Sequence, residues 1–107
     1  MNVASAGKVP WVISATDPPP ALEIALFRQT LILSWNQFVY AEGSSDELRI
    51  AFASHDVVVK GAGLDALLAA IASHRVASIR ESVRSEGFTG PVARFIREIV
   101  VRKIEVD

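Results

Sequence analysis

Residues 48–76 read LRIAFASHDVVVKGAGLDALLAAIASHRV, and this stretch decides the fold. Leu48, Ile50 and Phe52 alternate with Arg49, Ala51 and Ala53, the period of a strand with one face buried. Ser54-His55-Asp56 reads as a polar turn, and the β-branched Val57-Val58-Val59 as a second, more fully buried strand. Gly61 and Gly63 break that strand. Leu64, Leu67, Leu68 and Ile71 then fall at i, i+3, i+4 and i+7, which puts four aliphatic side chains on one face of a helix over residues 63–74. The unit is strand, turn, strand, glycine break, amphipathic helix.

Upstream of this unit, Leu22, Ile24 and Leu26 alternate with Glu23 and Ala25, which predicts a strand. Arg28-Gln29-Thr30 reads as a turn and Leu31-Ile32-Leu33 as the returning strand. One helix from Ala21 to Trp35 is the competing reading, because Ala, Leu, Glu and Gln are good helix formers. Leu22, Leu26, Leu33 and Trp35 do not share a helical face, and this favours strands. Trp35-Asn36-Gln37-Phe38 is a short turn before Val39-Tyr40-Ala41, and Glu42-Gly43-Ser44-Ser45-Asp46 is the clearest loop. At the N-terminal end, Asp17-Pro18-Pro19-Pro20 is an extended connector without ladder donors. Trp11-Val12-Ile13 is too apolar for a free tail and reads as a short docked edge strand. Residues 1–20 thus form a mobile or docked segment, and 21–107 a single domain.

Downstream, the apolar stripe loses phase after Ile71, because the next helical positions hold His74, Arg75 and Ser78. The helix is expected to end near His74, with a strand from Val76 to Glu81. Residues 82–91, with Gly87 and Gly90-Pro91, read as a loop. Val92, Phe95, Ile96, Ile99 and Val100 fit a helical period, yet the β-branched Ile99-Val100-Val101 and Ile104-Glu105-Val106 favour a strand from Ile96 to Val106 with a bulge at Arg102-Lys103. The expected fold class is α+β. One twisted, mainly antiparallel sheet of about five to seven strands, curling toward a barrel, carries one principal helix.

A chain of 107 residues has room for one domain and one core. Its residues are 50% hydrophobic and its mean hydropathy is +0.32, high for so small a domain. No run approaches the roughly 18 apolar residues of a spanning helix, since Glu23, Arg28, Gln29, Asp65 and His74 interrupt the richest windows. Met1–Lys8 lacks the apolar region of a signal peptide. The surplus apolar surface is therefore assigned to a subunit interface. Without cysteine the chain has no disulfides, thiolate metal sites or cysteine nucleophiles, which fits a reducing cytoplasm. A net charge of −1, split into −3 over residues 1–74 and +2 over 75–107, offers no global attraction to nucleic acid or anionic lipid.

Several constellations have both a chemical and a structural reading. Ser54-His55-Asp56 holds the residue types of a hydrolase triad, but neighbouring strand residues point to opposite faces, and turn capping explains them. His55, Asp56 and His74 could form a two-His, one-carboxylate metal or ligand site if the helix folds back over the hairpin. His74 is equally explained as a cation near a helix C-terminus. Lys60-Gly61-Ala62-Gly63-Leu64-Asp65 resembles a phosphate loop in position only, because it lacks the glycine spacing of such loops and places Asp65 in the first helical turn. Arg80, Arg97, Arg102 and Lys103 could track a phosphodiester backbone, against which Glu81, Glu86, Glu98 and Glu105 are interleaved and aromatic residues for base stacking are few, Phe95 among them.

The least ordinary feature is the helix face Ala66, Ala69, Ala70 and Ser73, which carries no charge where a solvated helix shows Lys and Glu. Small side chains permit close approach, so this face, with Trp11, is the expected contact with another copy; burial within its own domain is the competing account. The reading is a non-enzymatic, self-associating cytoplasmic module, a homo-oligomer without cofactor or membrane, its small-molecule ligand undefined. A ligand-binding or enzymatic cleft at His55, Asp56 and His74 is the first alternative, and weak nucleic-acid binding by the C-terminal cations the second.

Overall fold

The computed structural model describes residues 10–15, 17–81 and 94–104. In chain order the elements are β1 (Trp11–Ile13), β2 (Ala21–Ala25), β3 (Thr30–Ser34), a 3-10 turn (Trp35–Gln37), β4 (Phe38–Gly43), β5 (Glu47–Phe52), β6 (His55–Ala62), α1 (Leu64–Ala72), β7 (Val76–Arg80) and β8 (Phe95–Lys103). The α+β class holds. The single barrel-like sheet does not: the strands divide into two four-stranded sheets, β1-β7-β2-β3 and β4-β5-β6-β8, and neither closes. The chain leaves the first sheet at the 3-10 turn. There the Trp35 N–H still donates to the Pro20 carbonyl at 3.0 Å, but the next strand, β4, pairs with β5 and not with β3. All neighbours are antiparallel except β2 and β7. β7 enters the first sheet between β1 and β2, after the crossover through the second sheet and the helix.

Each local pattern explains its element. β2 and β3 form a tight hairpin in which Leu26 N–H donates to Gln29 C=O at 2.8 Å, so the helix spanning 21–35 is excluded and Phe27-Arg28 is the tip. β6 is longer than the sequence suggested. It already begins at His55, so the turn shrinks to Ala53-Ser54, and it continues through Gly61. Gly61 does not break the strand; it permits a close approach, because a Cβ there would fall on the Phe95 carbonyl oxygen. Beside it the register with β8 shifts from Lys60–Glu98 to Gly61–Ile96, so the extra residue is Arg97. Arg102 and Lys103 are regularly paired with Asp56 and His55, which corrects the bulge expected at those two positions. Gly63 is the true stop: its φ of 68° is left-handed, and the first helical N–H, that of Leu64, donates to Ser45 C=O at 2.9 Å.

The helix ends at Ala72, two residues before the expected limit, in a Schellman cap. His74 N–H donates to Ile71 C=O at 2.9 Å and Arg75 N–H to Ala70 C=O at 3.4 Å, with His74 at φ 58°. One apolar core joins both sheets and the helix, with Leu22, Ile24, Leu48, Ile50, Phe52, Val57, Val59, Leu64, Leu67, Val76, Ile79 and Ile96 almost wholly buried. Burial of each such side chain stabilises the fold by about 1.5–3 kcal/mol. Trp35 braces the crossover: its indole N–H donates to the Val76 carbonyl at 3.0 Å, and its ring lies 5.4 Å from Phe38 and 5.5 Å from Phe52. Beyond Lys103, Ile104 lies outside β8, and the expected loop at 82–91 and the strand end at Glu105-Val106 fall outside the described residues.

Candidate functional site

The histidine and aspartate positions do not assemble into one site. His55 and Asp56 are successive strand residues and project to opposite faces of the second sheet. His55 Nδ1 shares a 2.7 Å hydrogen bond with Ser54 Oγ. Asp56 accepts from Arg49 Nη2 at 2.9 Å, and this ion pair raises the pKa of the Arg49 guanidinium, chiefly through the hydrogen bond. His74 stands edge-on to Phe38, with ring centroids 6.3 Å apart, in a cleft of about 300 Å³ lined by Phe38, Ala41, Leu68, Ile71, Ala72 and His74. Among the described residues that line it, His74 is the one titratable side chain. Among the described residues no group of three His, Asp or Glu side chains is placed to hold a metal ion.

The cationic positions are distributed over the two sheets. Arg80 ends β7 in the first sheet, while Arg97, Arg102 and Lys103 lie on β8 in the second. Arg102 sits opposite Asp56 on the outer face, where Arg49, Asp56, Val58, Val100 and Arg102 line a shallow cleft of about 300 Å³; Lys103, one residue on, projects to the other face. Arg49 also lies 5.8 Å from the Tyr40 ring centroid. Acid, base and aromatic are thus paired across strands, the pattern of a solvated sheet face.

The helix face separates into two parts. Ala69 and Ser73 are exposed, and Ser73 Oγ donates to the Ala69 carbonyl at 3.3 Å. Ala66 is half-buried and Ala70 buried, both packed within the chain's own core on the side of the helix that seats Leu64, Leu67 and Ile71. Trp11 is likewise only 7% exposed, since β1 pairs with β7 and turns the indole inward opposite Ile79. Of the five residues read as an interface, then, Trp11 and Ala70 are occupied by intrachain packing, Ala66 partly so, and Ala69 and Ser73 remain open.

The apolar surface that does reach solvent lies elsewhere. Among the described residues, every large hydrophobic side chain that is strongly exposed belongs to an outermost strand or to the chain adjoining one. They are Val12 and Ile13 on β1, Phe27 and Ile32 at and beside the β2–β3 tip, Val39 and Tyr40 on β4, and Val100 and Ile104 on and after β8. Phe27 is 90% exposed and Ile32 62%. The interior strands and the helix contribute none. The exposure of Ile32 is not legible in the sequence, because Leu31-Ile32-Leu33 has the look of a buried strand; the polar flanks, Thr30 and Ser34, are the available signal.

Comparison with known proteins finds no matching family model, no matching curated protein and no matching solved structure.

Proposed function

We propose that this chain is a self-associating building block that acts through protein–protein contact and not through turnover of a substrate. The observation that carries the reading is that, among the described residues, the strongly exposed large hydrophobics lie on the outermost strands of two open sheets or on the chain adjoining them. Edge strands carry unpaired N–H and C=O groups, and apolar side chains beside them favour pairing with another chain. The polar constellations support the same reading by their local roles: Asp56 is held by Arg49, His55 by Ser54, and His74 closes a helix. Sedimentation velocity over about 1–50 μM, the range in which modest interfaces form, is the test. A concentration-dependent shift to a dimer or larger species is expected; a single monomer boundary throughout would overturn the proposal.

A further inference from the structure

The four outermost strands are not equivalent. β1 has three residues and an irregular register at Val12/Ile13. β4 is irregular between Phe38 and Tyr40 and carries Glu42. β8 is bulged at Arg97, is rich in charge, and has its edge blocked: the outward N–H of Ile99 donates to Glu81 Oε2 at 2.8 Å. Short length, bulges, charge and capping are the devices by which sheets prevent edge-to-edge pairing. Among the described residues, β3 has none of them. Thr30-Leu31-Ile32-Leu33-Ser34 is uncharged and proline-free, and it pairs with β2 over five consecutive positions without a shift.

The hydrogen-bond phase of β3 can be read from its two ends. Leu26 bonds to Gln29 at the tip and Trp35 to Pro20 at the base. Hydrogen-bonded and non-hydrogen-bonded pairs alternate along an antiparallel ladder, so Leu31 and Leu33 bond to Ile24 and Leu22. Thr30, Ile32 and Ser34 therefore turn their backbone N–H and C=O toward the open edge.

We infer that β3 pairs with β3 of a second copy, antiparallel and centred on Ile32, joining two four-stranded sheets into one continuous sheet across a twofold axis. The inference rests on the self-association proposed above and names its contact. A second copy is the fitting occupant because the strand is complementary to itself. Ile32 meets Ile32, Thr30 meets Ser34 and Ser34 meets Thr30, and these are the three residues whose backbone groups face outward, so each pair exchanges both its N–H···O bonds. Apolar and hydroxyl pairs of this kind are favourable across strands, and no like charges face one another. Leu31 and Leu33 lie opposite each other on the inner face and extend both cores. The same register carries the exposed Phe27 tip toward the partner's Trp35–Gln37 turn.

The chain contains no cysteine, so a single Ile32→Cys substitution tests the axis directly. In a hydrogen-bonded antiparallel pair the two Cα atoms lie about 5.5 Å apart, within the range a disulfide spans. Mild oxidation is expected to convert Ile32→Cys from the 11.6 kDa chain to a covalent dimer, at least about tenfold faster than Val39→Cys on the β4 edge of the second sheet. Ile32→Pro removes only an outward N–H, and Ile32→Lys places like charges face to face. Each is expected to raise the dimer dissociation constant at least about tenfold with an unchanged circular dichroism spectrum. If the unmodified protein is monomeric, both the self-association and this contact fail. If it is oligomeric but the proline and lysine variants remain so and the two cysteines cross-link alike, self-association stands and the β3 axis falls.

Discussion

His74 shows how a residue with chemical potential is used for backbone geometry. Its φ of 58° lies in the left-handed region, where a Cβ costs roughly 1–2 kcal/mol and glycine costs nothing sterically. Its imidazole rests on Phe38, an aromatic contact worth about 0.5–1.5 kcal/mol when well packed, which offsets that cost only in part for an exposed ring. His74→Gly and His74→Ala both delete the ring, so their difference isolates the backbone term. The glycine variant is expected to be the more stable by about 1 kcal/mol in urea denaturation, and equal stabilities would contradict the cap. From sequence, His74 was rightly placed at a helix end. Its left-handed conformation was not legible, because glycine is the usual marker and none stands there. Ile32 is the converse case: an ordinary aliphatic by sequence, singled out only by which strand lies beyond it.

At the level of elements, the capped edge of β8 carries a measurable consequence. Glu81, just past the end of β7 in the first sheet, accepts the Ile99 N–H of β8 in the second, so one carboxylate ties the two sheets together and occupies an outward donor. Bonds to charged groups contribute about 1.5–3 kcal/mol, and a partly buried N–H left without an acceptor is costly. Glu81→Ala is expected to lower unfolding stability by about 1–2 kcal/mol, and Glu81→Gln, which keeps an acceptor, by less. Denaturation curves that do not distinguish the two would remove this role. The strands themselves were largely legible, since period-2 alternation marks β2 and β5 and β-branched runs mark β6 and β8. Boundaries moved where backbone pairing overrode local signals. β6 runs through Gly61 because β8 needs a side chain missing there, and the bulge sits at Arg97 because Gly61 lets the strands close.

For the whole molecule, linkage between folding and association sets the expectation. Where the folded chain is mostly dimeric, apparent stability rises by about 1.4 kcal/mol of dimer for each tenfold increase in concentration. The melting temperature of the unmodified protein should then climb by a few degrees per decade, while Ile32→Lys should melt at a temperature independent of concentration. A flat dependence for both would argue that any association is uncoupled from folding. This measurement complements cross-linking because it reads energy and not proximity.

What the sequence by itself determined is the set of elements and their buried faces: the hairpins, the helix seated on Leu64, Leu67 and Ile71, and a hydrophobic fraction of 50%. These follow from periodicity, a property of near neighbours that chain position alone reveals. Only the tertiary structure decided that there are two sheets, that β7 inserts between β1 and β2, and that Trp11 and Ala70 face inward. It also decided which strands end each sheet and which edges are capped. Those properties depend on pairing between residues distant in sequence, and a strand carries the same alternating pattern whether its outer neighbour is another strand or water.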